Sequence, residues 1–370
     1  MIQTHIIINL IKNIKTLIYI EDKSIFEKID FDDDTIYLEP LLFAYFNSKK
    51  DNLFPKETLQ EMLQGYFINK EELKIKYSYN KNGVAYLPKL GYYIDSTKIE
   101  DIIKIDNFEI LIYPIGLLDF VFWNASNNKI GVYDVNIDKN LLNKNFNFLA
   151  NAISFIKKSS NQHYNLIIQN CSKIVLFNIN PKYTNSFTTF TAHGIAFLNV
   201  YQDNYDEVFF VDDIAHQTGH IIFNTLLYTN TSFFRIDENL EVENLLKKKD
   251  HRNVKTLIHA LYTYYTTFIC LDNCINKSLF NESQKQEAIA RIGFYLRKCT
   301  NDLVNFEKIN ILYNGIENVF FEQGIDFYNL IKLKYIQMLN KWKDTVEKYN
   351  FSNQPYNFDY KKFKNINKTQ

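Results

Sequence analysis

Four long stretches in the second half of the chain repeat apolar residues every three or four positions, and this periodicity commits most of that half to packed helices. They are "VDDIAHQTGHIIFNTLL" (211–227), "KTLIHALYTYYTTFICLDNC" (255–274), "ESQKQEAIARIGFYLRKCTNDLVNF" (282–306) and "GIDFYNLIKLKYIQMLNKWKDTVEKY" (324–349). Around the first, Val208, Val211, Ile214, Ala215, Ile222 and Leu226 form the face that should be buried. Earlier segments carry other patterns. "KNLLNKNFNFLANAISFIKK" (139–158) also has helical spacing, whereas "FEILIYPIG", "KIGVYDVNI", "SKIVLFNIN" and "FTTFTAHGIAFLNVY" are β-branched and aromatic runs that predict strands. Asn82-Gly83, between "LKIKYSY" and "VAYL", predicts a hairpin, because both residues tolerate the positive φ of a type I′ turn. The expected fold class is α+β, mainly helical with a small antiparallel sheet. Residues 1–150 are expected to form a mixed region, 151–350 the metal-binding catalytic region, and 351–370 a polar, frayed tail.

Lys plus Arg and Asp plus Glu balance at 42 each, so no overall field points to nucleic acid or an anionic membrane as a partner. The apolar opening "MIQTHIIINLIKNIKTLIYI" is interrupted by Lys12, Asn13 and Lys15 and lacks a small-residue cleavage site, which predicts an amphipathic helix or strand. No later segment approaches the roughly 20 apolar residues of a membrane span. A cytoplasmic location is expected. Cys171, Cys270, Cys274 and Cys299 are too few in 370 residues for a disulfide framework and are expected to be reduced.

The first helical stretch carries the chemistry. His216 and His220 are four apart and so share one helix face, where two imidazoles can reach one metal ion. The arrangement is one letter from H-E-x-x-H, with Gln217 at the position of the general base. The spacing is equally compatible with two helix histidines satisfied by hydrogen bonds. His259, 39 positions after His220 on a separate helix, is the candidate third ligand. Gly219 weakens the helix by about 1 kcal/mol relative to alanine, which suggests that something approaches the backbone there.

The order "AHGIAFLNV", "FFVDDIAHQTGHIIFNTLL", "DHRNVKTLIHALYTYY" resembles a bacterial family of H-E-x-x-H peptide-modification proteins associated with ribosomally made natural products. The resemblance covers roughly residues 190–305. It implies a zincin-like metal helix beside an edge strand, and iron(II)- and 2-oxoglutarate-dependent hydroxylation of a precursor peptide. His216, His220 and His259 would ligate iron(II). Arg252, seven residues before His259 as in the family, would clamp a carboxylate of 2-oxoglutarate, or else be a surface residue after Lys247 to Lys249. The edge strand, "HGIAFLNV", would accept the peptide by main-chain pairing, and residues 1–150 would recognise its leader.

Gln217 departs from the family pattern and bears on the reaction. An amide cannot deprotonate a metal-bound water, so hydrolysis is disfavoured. Oxygenase chemistry draws on metal, O₂ and cosubstrate and does not need that base. Asp213 is a candidate acceptor for a ligand N–H, or a favourable charge near the helix start. His193 is a candidate to touch substrate or metal, or a strand-end histidine in a turn. Two rivals stay open: a zinc(II) hydrolase whose base is Glu238, Glu241 or Glu243, and a non-catalytic peptide-binding maturation partner.

Overall fold

The computed structural model describes residues 2–49, 53–69, 73–76, 81–228 and 233–367, with side chains from Ile7 onward. The chain divides into two compact units: Met1–Ala150 with Asn165–Tyr205 and Asn224–Thr229, and Asn151–Tyr164 with Asp206–Phe223 and Asn230–Gln370. One break falls near residue 150. Residues 165–205 nevertheless return to the first unit, because the strands they carry complete its larger sheet.

The first unit contains helices α1 (Ile2–Asp22), α2 (Asp34–Tyr37), α3 (Pro40–Ser48), α4 (Glu57–Leu63) and α5 (Asp119–Ala125). Helix α1 buries Leu10, Ile11, Ile14 and Ile18 while Lys12 and Asn13 stay exposed, so the opening run is an amphipathic helix. One sheet is antiparallel, in the order β1 (Ala85–Leu87), β2 (Gly91–Ile94), β3 (Thr97–Glu100). The other runs β4 (Ile103–Ile105), β5 (Phe108–Leu111), β6 (Lys173–Phe177), β7 (Ile195–Asn199), with β4 antiparallel to β5 and the remaining pairs parallel. The β5-to-β6 connection carries α5, α6 (Lys139–Ser159) and α7 (Asn161–Asn170), a crossover of the kind parallel pairing requires. The protein is therefore α+β and mainly helical, with one small antiparallel and one mixed sheet.

Two expected strands turn out otherwise. Residues 129–137 form no strand. Asp119 accepts from the Val132 N–H (2.8 Å) and Asp134 from the Gly131 N–H (2.7 Å), and these side chains fold residues 132–134 into a 3₁₀ turn. Only Asn136 keeps a β-bridge, to Asn178. Gly83 has the positive φ expected at the turn (75°), but residues 77–80 of the predicted hairpin lie outside the described residues, and β1 pairs with β2.

The second unit is helical. It takes α8 (Glu207–Tyr228) up to Phe223, then α9 (Val242–Leu246), α10 (Val254–Asn276), α11 (Glu282–Leu312), α12 (Glu322–Val346) and α13 (Tyr360–Ile366). All but Leu226 of the predicted α8 face is buried, and Leu226 is half-buried. Asn281 and Gln284 form a capping box that starts α11. Asp272 on α10 accepts from Lys341 (2.6 Å) and the Trp342 indole (3.0 Å), tying α10 to α12. The tail is not frayed, because Phe351, Phe358, Tyr360 and Phe363 are buried and Phe294 of α11 lies against Phe351 and Phe358. All four cysteines are free and buried. No helix of the described residues is long and apolar enough to cross a membrane.

Candidate functional site

The site is built by two helices that approach closely at Gly219. A Cβ there would lie 2.5 Å from the Thr266 hydroxyl and 3.4 Å from Thr263 Cα, both on α10. The Thr266 hydroxyl donates across to the Ala215 carbonyl of α8 (2.9 Å). What approaches the backbone at Gly219 is thus a neighbouring helix. That approach brings His259 of α10 to the face that carries His216 and His220.

The three imidazoles form a contiguous row. Ring centroids are 4.9 Å apart for His216 and His220 and 4.4 Å for His220 and His259, in edge-to-face pairs. His220 Nδ1 and His259 Nε2 share a hydrogen bond of 2.8 Å, so one must carry the proton and the other accept it. Phe223 stacks on His259 (4.7 Å) and Tyr295 on His216 (5.8 Å). Burial pushes the His220 pKa down to about 4. His216 is lowered further by burial and then by the charges of His220, Lys298 and His259, and His259 by burial and then His220. At neutral pH all three are uncharged, the form in which imidazole binds a metal.

In donor type the set suits iron(II) or zinc. Its arrangement falls short of a metal site. Metal–nitrogen bonds of about 2.0–2.1 Å in a tetrahedral site hold their nitrogens about 3.3 Å apart, so His220 and His259 would separate by about half an ångström and give up the shared proton. Among the described residues no group of three or more His, Cys, Asp or Glu side chains is arranged to hold an ion. His216 Nδ1 is buried without a hydrogen-bond partner. No known family model matches the chain, and no curated protein is similar to it. The resemblance to peptide-modification enzymes therefore rests on the quoted motifs alone.

The other predicted residues occupy definite places. The Gln217 amide donates to Asp213 (3.1 Å), and its buried oxygen has no partner. Arg252 is closed off by its neighbours. Its fork makes two bonds to Asp250 (2.9 and 2.7 Å) and two to Asp302 (2.9 and 2.7 Å), leaving little of it to offer a cosubstrate. Glu238 pairs with Lys255, Glu243 with His251, and Glu241 accepts from Asn244, so each alternative base is engaged by a neighbour. His193 belongs to the first unit, where it is buried and bonded to Thr225 (2.9 Å). Strand β7 ends its sheet, but its outer side exchanges two backbone hydrogen bonds with Phe187 (2.9 and 3.0 Å), which closes that register to an added peptide strand.

The sequence predicts α11 and offers its Arg291 or Arg297 as the carboxylate clamp should Arg252 not serve, but a wider pattern on this helix bears on the site. Arg291, Tyr295, Lys298 and Asp302 recur four, three and four apart, a polar stripe on one helix face that the same periodicity test exposes. Arg291 is buried between Asp212 (2.6 Å) and Glu287 (2.7 Å). The Tyr295 hydroxyl reaches the same Asp212, and the Tyr264 hydroxyl reaches Asp302 (3.3 Å). Lys298 is half-buried and donates to the Tyr356 carbonyl (3.0 Å). Burial brings its pKa down to about 8, with Asp302 opposing. Lys298 lies one turn along α11 from Tyr295, the ring that stacks on His216, and no carboxylate in the described residues pairs with it at salt-bridge distance.

Proposed function

We propose that this protein is a cytoplasmic iron(II)- and 2-oxoglutarate-dependent oxygenase that β-hydroxylates a ribosomally made precursor peptide. The observation that carries this reading is the gathering of His216, His220 and His259, from two helices, into one row of uncharged imidazoles. Iron bound there would supply the oxidising power, together with O₂ and the cosubstrate. The chain's own residues do the rest. The three histidines would hold the ion, and Phe223 and Tyr295 flank the row with aromatic surface that would limit water. Lys298 meets the distal carboxylate of 2-oxoglutarate, a task for which Arg252 has too few donors left. Gln217 provides no base, which disfavours a hydrolytic reaction at the same ion.

The hydrogen bond between His220 and His259 favours a second reading, in which the scaffold binds a peptide without metal. Anaerobic reconstitution with iron(II) separates the two. The oxygenase reading expects one iron per chain, lost in His216→Ala, His220→Ala and His259→Ala, a metal-to-ligand absorption band on adding 2-oxoglutarate, and one added oxygen on a peptide encoded beside the gene. Failure to retain any metal would leave the binding partner, whereas tight zinc with peptide cleavage would establish the hydrolase.

A further inference from the structure

A separate polar centre lies within the first unit. Parallel pairing of β5 with β6 sets Glu109 opposite Lys173. The Lys173 ammonium, 4% exposed, sits 2.7 Å from Glu109 and 3.3 Å from Glu39 and donates to the Tyr86 hydroxyl (3.0 Å). Tyr66 donates to Glu39 (2.8 Å) and Tyr86 to Glu109. Burial works against the charge of Lys173, but the two carboxylates outweigh it and raise its pKa. Two buried carboxylates thus face one ammonium, a formal imbalance of one, with Tyr66, Tyr86 and the Leu41 N–H at the start of α3 as their other donors. A buried charge without a counterion is costly unless something completes the pairing.

Glu39, Tyr66, Glu109 and Lys173 line a cavity of about 350 Å³, at the lower end of the range of small-molecule sites. Two further side chains on its wall are incompletely satisfied. Asn170 Oδ1 and His193 Nδ1 are buried without a hydrogen-bond partner. The Asn170 amide nitrogen donates to the Leu166 carbonyl (2.8 Å), which identifies the unpartnered atom as the oxygen, an acceptor. His193 is neutral, because burial holds its pKa at about 4, and so adds no positive charge. Each unmet buried group carries an uncompensated desolvation cost. The lining also includes Lys89 and Lys104, both exposed and of opposite charge to the interior surplus.

We propose that this cavity binds a small zwitterion of the α-amino-acid class, its ammonium donating to Asn170 beside the Glu39–Glu109 pair and its carboxylate meeting Lys104. The interior has acceptors and excess negative charge for a cationic donor, and the exposed lysines serve an anionic end. A simple cation would use only the first half of the site, and a simple anion only the second.

Calorimetric titration of the full chain with each of the common amino acids, alongside methylammonium and acetate, tests the assignment. At least one amino acid should saturate at one per chain, with both half-ligands at least tenfold weaker. Lys104→Glu alters an exposed side chain on β4 that stands opposite Glu109 of β5, so retention of the circular dichroism spectrum and urea midpoint is checked alongside. It should weaken the amino acid at least tenfold without weakening methylammonium, while Asn170→Leu should weaken both. Binding should persist in His216→Ala, because the cavity does not depend on the proposed oxygenase site. If no amino acid binds, if methylammonium binds as tightly as the best of them, or if Lys104→Glu leaves amino-acid affinity intact, the proposal is overturned.

Discussion

Arg252 shows how a residue's neighbours decide its role. Its spacing from His259 suggests a carboxylate clamp, and it does clamp carboxylates, but those of Asp250 and Asp302. Asp302 is 6% exposed, and the Arg252 hydrogen bond holds the Asp250 pKa below the usual carboxylate range. An ammonium cannot reproduce four bonds to two carboxylates. Arg252→Lys should therefore destabilise the fold by about 1–3 kcal/mol in urea unfolding. Affinity for 2-oxoglutarate should stay within twofold, whereas Lys298→Ala should lower it at least tenfold. A large loss of cosubstrate affinity in Arg252→Lys without loss of stability would restore the clamp. Gln217 is fixed in the same way. It donates to Asp213, so Gln217→Glu sets two carboxylates against each other in a buried position. That variant should unfold at lower urea above pH 6 and should acquire no peptidase activity, measured on the candidate precursor.

At the scale of elements, the histidine row depends on how closely α8 and α10 approach. Gly219→Ala would gain about 1 kcal/mol of helix propensity but must displace Thr266, whose hydroxyl would lie 2.5 Å from the new Cβ. Overpacking of this kind costs about 1–3 kcal/mol, so the net effect should be a loss of about 1 kcal/mol. The more telling readout is iron. Relieving the Thr266 contact takes about 1 Å, more than the half ångström by which His220 and His259 would part around an ion, so iron affinity should fall while the circular dichroism spectrum is retained. A more stable variant that keeps its iron would show that the close approach is unnecessary. The α11 stripe illustrates what helical periodicity leaves out. The three-and-four spacing of Arg291, Tyr295, Lys298 and Asp302 is visible in the sequence, but it does not say that two of them are paired in the interior and one adjoins the histidines.

For the whole molecule the testable consequence is a dependence of stability on acid. His163 and His193, one in each unit, are buried, and burial lowers both pKa values from 6.5 to about 4. Below pH 6.5 the unfolded chain takes up protons that the folded chain refuses. The stability from keeping these rings neutral is fully present above pH 6.5 and is lost as pH falls toward 4. The slope is about 1.4 kcal/mol per pH unit for each histidine. Urea midpoints should fall steadily from pH 6.5 to 4.5, and His163→Phe should flatten part of that fall. A midpoint unchanged over this window would contradict the burial of both rings.

The sequence by itself determined the long helices of the second unit, the amphipathic opening helix, strands at 108–111, 173–177 and 195–199, and the shared face of His216 and His220. Each follows from neighbours within about one turn or one pleat, so the repeat of apolar residues is enough to state it. Only the tertiary structure decided that Asp302, 50 positions away, occupies Arg252, and that Asp119 turns residues 132–134 away from a strand. The same holds for the closeness of Gly219 to α10, the burial of the aromatic tail, and the meeting of Lys173 with Glu39 and Glu109. These are pairings between distant positions. A charged or small residue has the same local signature whether its partner is water or a side chain brought to it by the fold, so its role is set only when the chain has packed.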